Sequence, residues 1–484
     1  MCRPVVPSSW VVLLVSVGFA LGLAGCGSSQ PTPDLPSLYN QSAQYHGPER
    51  NPVIVIPGLL GSELVQEETE RVVWGAFRGD AANPNDDEGA RLISLPMERG
   101  APLRNLHDDV RSNGALREFR LRVLGLPINL QAYQSIMQTL GVGGYRDDSG
   151  SLGAIDYGDE HFTCFQFDYD WRRDNVENAQ RLHEFIQEKT AYLQEEYATR
   201  YGIEDADIQF DIVAHSMGGL LTRYYLRYGN ADLPEDGSAP EVTWAGAQHV
   251  SRAVLVGTPN AGSAKALRQM VEGKQTSRIT PDYASAILGT MPAGYQLLPR
   301  GRHGALVDAE DPSMVIDSLF APDFWQRMEW GLADPEQDEV LQQLLPDVED
   351  AHERRRIALD HQRKSLVRAQ QFTEALDVPA TPPPTTEIAL IAGDAEPTLS
   401  RLAVDRTTGE LDEVGEAPGD GTVLRSSALM DERVNGTWQP TLGSPIQWSQ
   451  VTFLFADHIA MTRDPAFTDN LLYYLLEAPR RPAS

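Results

Sequence analysis

Short apolar runs rich in β-branched and aromatic residues punctuate the chain at Val53–Ile56, Phe162–Phe167, Ile208–Val213, Val250–Val256, Glu387–Ala392 and Val451–Phe455. They are close to continuous in hydrophobicity rather than alternating, the pattern of strands buried on both faces. Helical periodicity fills several of the gaps, notably Val176–Tyr201 and Met217–Tyr228. Strands alternating with helices predict a mostly parallel sheet covered by helices, an α/β fold. From about Ala264 to Asp377 the alternation stops, and helix-prone, amphipathic and aromatic sequence such as Phe320–Leu332 takes over. This stretch is expected to be an insertion capping the C-terminal edge of the sheet. Pro379 to Pro384 then lead back to a core strand. No Pro/Gly-rich boundary divides the apolar segments before residue 378, so one large domain with an insertion is expected from residue 51 to 484.

The N-terminal pattern differs. One Arg precedes an apolar run from Trp10 to Gly25, which ends in Leu23-Ala24-Gly25-Cys26. The run is short for a transmembrane helix, and small residues before a Cys suit removal of residues 1–25 as a signal peptide. Cys26 is then expected to carry lipid, placing the protein in a bacterial cell envelope as a membrane lipoprotein on the exported face. Residues 26–50, rich in Ser, Pro, Gln and Gly, read as a flexible tether spanning roughly 25–30 Å.

Charge narrows the partners. The formal charge is −29 and becomes −30 without residues 1–25, which hold one Arg and no acid. Nucleic acid is an unsuitable partner for such a surface, and attachment to a membrane has to come from the lipid and from apolar contacts. With Cys2 in the signal and Cys26 lipidated, Cys164 remains alone in an apolar run, a buried inert thiol. Acidic Asp80–Glu88 lacks calcium-loop spacing and reads as a solvated loop. Arg354, Arg355, Arg356, Arg363, Lys364 and Arg368 share one helical pattern with interspersed acids, a solvated cap helix. No phosphate-binding glycine loop or zinc-protease motif occurs, and no cofactor or metal is expected.

The chemistry concentrates at Ala214-His215-Ser216-Met217-Gly218, where a strand turns sharply into a helix. This is a GxSxG nucleophile elbow with Ala in the first glycine position, and it nominates Ser216 as nucleophile in an α/β-hydrolase fold. A Ser hydroxyl needs a base, and in this architecture acid and His follow the Ser in the chain. His303, His352 and His361 fall in the insertion, whereas His458 follows the last strand. For the acid, Asp394 ends one strand and Asp420 lies in the turn Gly419-Asp420-Gly421-Thr422-Val423; order alone prefers Asp420 only slightly. The Met217 amide and one from Pro57-Gly58-Leu59-Leu60-Gly61-Ser62 are expected to form the oxyanion hole.

Taken in order, Val55-Ile56-Pro57-Gly58-Leu59-Leu60-Gly61-Ser62, Tyr169-Asp170-Trp171-Arg172-Arg173, the Ser216 elbow, Gly257-Thr258-Pro259-Asn260-Ala261-Gly262-Ser263 and the Asp420 turn resemble the lecithin:cholesterol acyltransferase family, with lysosomal phospholipase A and bacterial lipoprotein relatives. The resemblance spans about residues 51–475. It implies a Ser216–Asp420–His458 triad, an oxyanion hole from the Leu59 and Met217 amides, a lipid acyl ester as substrate at a membrane interface, and a mobile lid at roughly 264–298. Trp74 resembles the family's aromatic beside the acyl site. The N-terminal Cys pair of animal members is missing, so their membrane-docking region is not carried over. The Tyr169–Arg173 motif reads as a buried brace in which Asp170 pairs with Arg172. Acyl hydrolysis is the primary expectation, acyl transfer to a lipid alcohol the alternative, and a silent hydrolase scaffold used for binding the third. Oligomeric state is not legible.

Overall fold

The computed structural model describes residues 33–76, 81–116, 118–123, 126–131, 133–148, 161–273, 281–436 and 438–480. At its centre lie β1 (Val53–Ile56), β2 (Cys164–Gln166), β3 (Phe210–His215), β4 (Val250–Val256), β6 (Glu387–Gly393) and β9 (Gln450–Leu454). They form a six-stranded sheet in the order β9-β6-β4-β3-β1-β2, and every neighbouring pair is parallel. Each of the apolar runs picked out in the sequence supplies one of these strands.

Period-two packing explains why the strands read as continuously apolar. Ile54, Ile56, Ile212, Ala214, Leu255 and Leu390 enter one core. Their neighbours Val53, Val55, Val213, Val254, Val256 and Ile391 enter another on the opposite face. Against the first core pack α1 (Asn175–Tyr201), through Val176, Leu182 and Ile186, and α2 (Met217–Tyr228). Asp174 caps the start of α1 through the Val176 amide, and Gly202 ends it in the left-handed region. The second core is closed by helix Gln134–Val142 and by α5 (Pro465–Leu472), through Ile136, Leu140, Phe467 and Leu471. Cys164 sits buried there with a free thiol.

The insertion is helical, with α3 (Ala264–Glu272) and the long α4 (Ala351–Asp377) as its main pieces. It has its own core around Leu267, Trp325, Trp330 and Leu366. Its charged face follows the expected pairing: Arg356 meets Glu353, Arg363 and Lys364 meet Asp360, and Arg368 meets Asp174 and Asp232.

Three features depart from the sequence reading. The cap is not confined to 264–377: a hairpin of β7 (Glu396–Val404) and β8 (Leu411–Gly419) joins it, β7 pairing in parallel with β5 (Leu306–Asp308). Second, residues 285–298, the latter part of the expected lid, are built into the apolar cores. Ile287, Met291, Ala293 and Leu297 belong to the main core and Tyr295 and Leu298 to the cap core, so moving them would open both. Third, the tether does not extend to residue 50. Leu35 and Tyr39 bury against Leu472, Tyr39 Oη donates to Asp469 Oδ1 at 2.7 Å, and Ser42 Oγ to Glu477 at 2.7 Å. An aromatic and a Leu in a polar stretch were enough to dock it. The proposed signal peptide and Cys26 lie outside the described residues. No helix among the described residues is long and apolar enough to cross a membrane.

Candidate active site

Parallel strands deliver their C-terminal ends to one edge of the sheet, and the candidate residues gather there. Ser216 directly follows β3 and precedes α2, with φ 53° and ψ −125°, a strained conformation for a residue bearing a Cβ. Small neighbours make the turn feasible. A Cβ on Gly218 would lie 2.4 Å from the Pro57 carbonyl oxygen, and one on Gly219 would lie 2.0 Å from Thr258 Oγ1. The Ser216 amide donates to the Val256 carbonyl at 2.7 Å, tying the elbow to β4.

His458 lies in the loop after β9. Its Nδ1 is 2.7 Å from Asp420 Oδ2 and its Nε2 is 3.0 Å from Ser216 Oγ. The Asp420 carboxylate is buried, and its other oxygen accepts the Thr422 and Val423 amides at 3.0 and 2.7 Å. The acid turn is also held from the start of α3, since Ser263 Oγ donates to the Thr422 carbonyl at 2.8 Å and Lys265 Nζ to the Gly421 carbonyl at 3.1 Å. Gly257, at φ +56°, lets the imidazole and carboxylate close in: a Cβ there would lie 3.2 Å from His458 Nδ1 and 3.4 Å from Asp420 Oδ2.

The rejected candidates have other partners. Asp394 faces Arg425 at 3.4 Å, whose guanidinium stacks on Phe453. His303 meets Glu432 at 3.3 Å, and His352 is exposed at the start of α4. His361 is buried in the cap, bonded to the Thr290 carbonyl at 2.9 Å, and burial pushes it down to about 4.

The loop from Pro57 to Ser62 runs beside the elbow. A Cβ on Gly58 would lie 2.6 Å from Ser216 Cβ and 3.2 Å from its Oγ, so only glycine fits there. Among the described residues neither the Leu59 amide nor the Met217 amide donates to another backbone group. Beneath the loop sits the Tyr169–Arg173 motif. Tyr169 Oη donates to the Pro57 carbonyl at 2.8 Å and Trp171 Nε1 to the Ser62 carbonyl at 3.2 Å. Arg172, fully buried, chelates Asp170 at 2.9 and 2.7 Å and also reaches Asp108 at 2.7 Å. Burial raises the Asp170 carboxyl, and the Arg172 charge outweighs that and leaves it lowered overall. Trp74 is buried, donates its indole N–H to the Leu60 carbonyl at 2.8 Å, and packs edge-on to Trp171 and Tyr283. It too supports this loop. Tyr133, which bonds the Gly58 amide, and His215, which bonds the His458 carbonyl, had no functional signal in the sequence; Gly257 stood in a motif whose purpose was not apparent.

The profile of the lecithin:cholesterol acyltransferase family matches residues 129–398, more than half of the chain. The chain belongs to that family. Membership makes it an enzyme acting on lipid acyl esters; the matched span includes the Ser216 elbow but not Asp420, His458 or the Pro57–Ser62 loop. No curated protein matches the chain. Among solved structures, the crystal structure of a Tle4–Tli4 complex is similar over 90% of this chain and 100% of that one, at 15% identity and a TM-score of 0.53. EstA from Clostridium botulinum aligns over 90% of this chain and 89% of its own, at 12% identity and a TM-score of 0.31. Lipase 1 from Pelosinus fermentans aligns over 89% and 99%, at 12% identity and a TM-score of 0.31. The fold of this acyltransferase-family member is that of the α/β-hydrolases.

Proposed function

We propose that this family member is a serine acyl hydrolase that cleaves phospholipid or acylglycerol esters through an acyl-enzyme on Ser216. The observation carrying the proposal is the placement of His458 between Asp420 and Ser216, at 2.7 and 3.0 Å. With its Nδ1 proton held by the carboxylate, the imidazole presents Nε2 as the acceptor for the Ser proton. As Oγ bonds to the ester carbon, Nε2 takes that proton, and the carbonyl oxygen gains the charge that the Leu59 and Met217 amides would receive. Collapse expels the lipid alcohol, which leaves with the proton from Nε2. Water then repeats the sequence, giving up its proton to Nε2 and releasing fatty acid while Ser216 recovers its own.

A lipid alcohol can take the place of that water, and the family's name favours this second reading. Product analysis with radiolabelled acyl lipid, with and without added alcohol, separates the two: free fatty acid is expected to predominate, and predominant ester at low acceptor concentration would make the enzyme a transferase. A binding-only scaffold is separated by fluorophosphonate labelling. Ser216→Ala is expected to abolish labelling and lower turnover by about four orders of magnitude while preserving the fold. Labelling elsewhere with unchanged turnover would reject the nucleophile.

A further inference from the structure

A second imidazole is buried behind the nucleophile. His215, the last residue of β3, is 2% exposed, and its ring centroid is 4.8 Å from that of His458. Its Nε2 lies 3.0 Å from the His458 carbonyl oxygen and its Nδ1 lies 3.1 Å from Tyr133 Oη. Tyr133 Oη in turn accepts the Gly58 amide at 2.8 Å. One arrangement of protons satisfies every group. A carbonyl can only accept, so His215 carries its proton on Nε2; Nδ1 is then a bare acceptor for the Tyr133 hydroxyl, whose oxygen takes the Gly58 N–H. Burial, with the neighbouring His458 adding to it, pushes His215 down to about 3, so the ring remains neutral.

This chain of bonds joins two loops that have to act on one carbonyl carbon. At one end Gly58 precedes the Leu59 amide; at the other is the backbone of His458 itself, whose N–H is already fixed by the Asp420 carbonyl at 2.9 Å. We propose that Tyr133 and His215 are positioning residues that lock the oxyanion loop and the base loop at one mutual spacing around Ser216. A buried His bonded to a carbonyl is often plain core packing. Here, however, both ends of the chain finish on backbone adjoining the reacting groups, with Gly58 pressed against Ser216. The inference rests on the triad reading above.

The test compares full-length wild type with Tyr133→Phe, His215→Gln and His215→Leu, using a fatty-acyl aryl ester and an alkyl boronic acid that mimics the tetrahedral adduct. Tyr133→Phe is expected to lower kcat about 10- to 100-fold, with KM within about threefold. Boronate affinity should fall with kcat. His215→Gln keeps an amide donor for the His458 carbonyl and is expected to retain more activity than His215→Leu. Wild-type kcat and boronate affinity per folded molecule in Tyr133→Phe, whatever its Tm, would reduce the pair to core packing and overturn the proposal. So would equal losses for Gln and Leu. Failure of the triad reading is separately visible as turnover in Ser216→Ala. If the variants do not fold, long-range proton–nitrogen spectra of the wild type decide. A ring that keeps the Nε2–H tautomer from about pH 5 to 8 and shifts when Ser216 is phosphonylated is expected, and a titrating His215 overturns the inference.

Discussion

His458 is held at its amide, its carbonyl and its Nδ1, so little freedom remains except the small ring motion needed to carry a proton. Asp420→Asn is expected to slow turnover by about four orders of magnitude, because an amide in place of the carboxylate favours the wrong imidazole tautomer. Asp394→Asn should act mainly through its Arg425 contact, with kcat within about tenfold of wild type. Steady-state kinetics on the two variants check this order, and its reversal would move the acid to the end of β6. Chain order alone singled out His458. It preferred Asp420 over Asp394 only slightly, since both follow strands in turn-forming sequence. What distinguishes them is the facing group, and Arg425 comes from a later segment that no local pattern links to Asp394.

Buried imidazoles also set an acid limit on stability. His361 and His215 have folded values depressed to about 4 and about 3, below the unfolded value near 6.5. As pH falls below about 6.5 the unfolded chain takes up protons that these rings refuse, so stability present at neutral pH is lost toward pH 4. A loss on the order of a few kcal/mol is expected across that interval. Tm measured against pH should be flat above about pH 7.5 and slope below it, with a shallower slope in His361→Asn. An unchanged slope in that variant would remove His361 from the account.

Among the elements, the Pro57–Ser62 loop draws support from three directions: Tyr169 and Trp171 below, Trp74 at the Leu60 carbonyl, and Tyr133 at the Gly58 amide. Its lack of tolerance is concentrated at Gly58. Gly58→Ala is expected to cut kcat by about 100-fold or more, since the methyl must displace Ser216 or the loop by an ångström-scale shift. Fluorophosphonate labelling rates, with circular dichroism to verify folding, provide the check. Buried elements were the legible ones. All strands of the main sheet stood out because both faces demand apolar residues. The β7–β8 hairpin did not, because β8 bears Asp412, Glu413 and Glu416 on a largely exposed strand and carries Gly415 and Pro418. Residues 285–298 misled for the opposite reason: apolar sequence within an insertion resembles a surface-seeking lid as much as it resembles the joint between two cores.

On the scale of the whole molecule, the segment beginning at Leu35 is stapled to α5, so any flexible lead has to lie upstream of it. Replacing Cys26 by Ser is expected to leave an unlipidated precursor and to release catalytic activity from the membrane fraction. Mass analysis of the N-terminal fragment and fractionation check it; wild-type protein without lipid mass would exclude the anchor. One more consequence comes from the distance along the chain between the reacting partners. Ser216 and His458 are 242 residues apart, and the loop carrying His458 follows the edge strand β9, the last to be made. If Ser216, Asp420 and His458 act as proposed, a polypeptide cut short before β9 carries the nucleophile and the acid without the His458 base. On the triad reading, hydrolysis is expected only once the segment bearing His458 has been made and folded onto β6, the order in which the strands are laid down setting when activity begins.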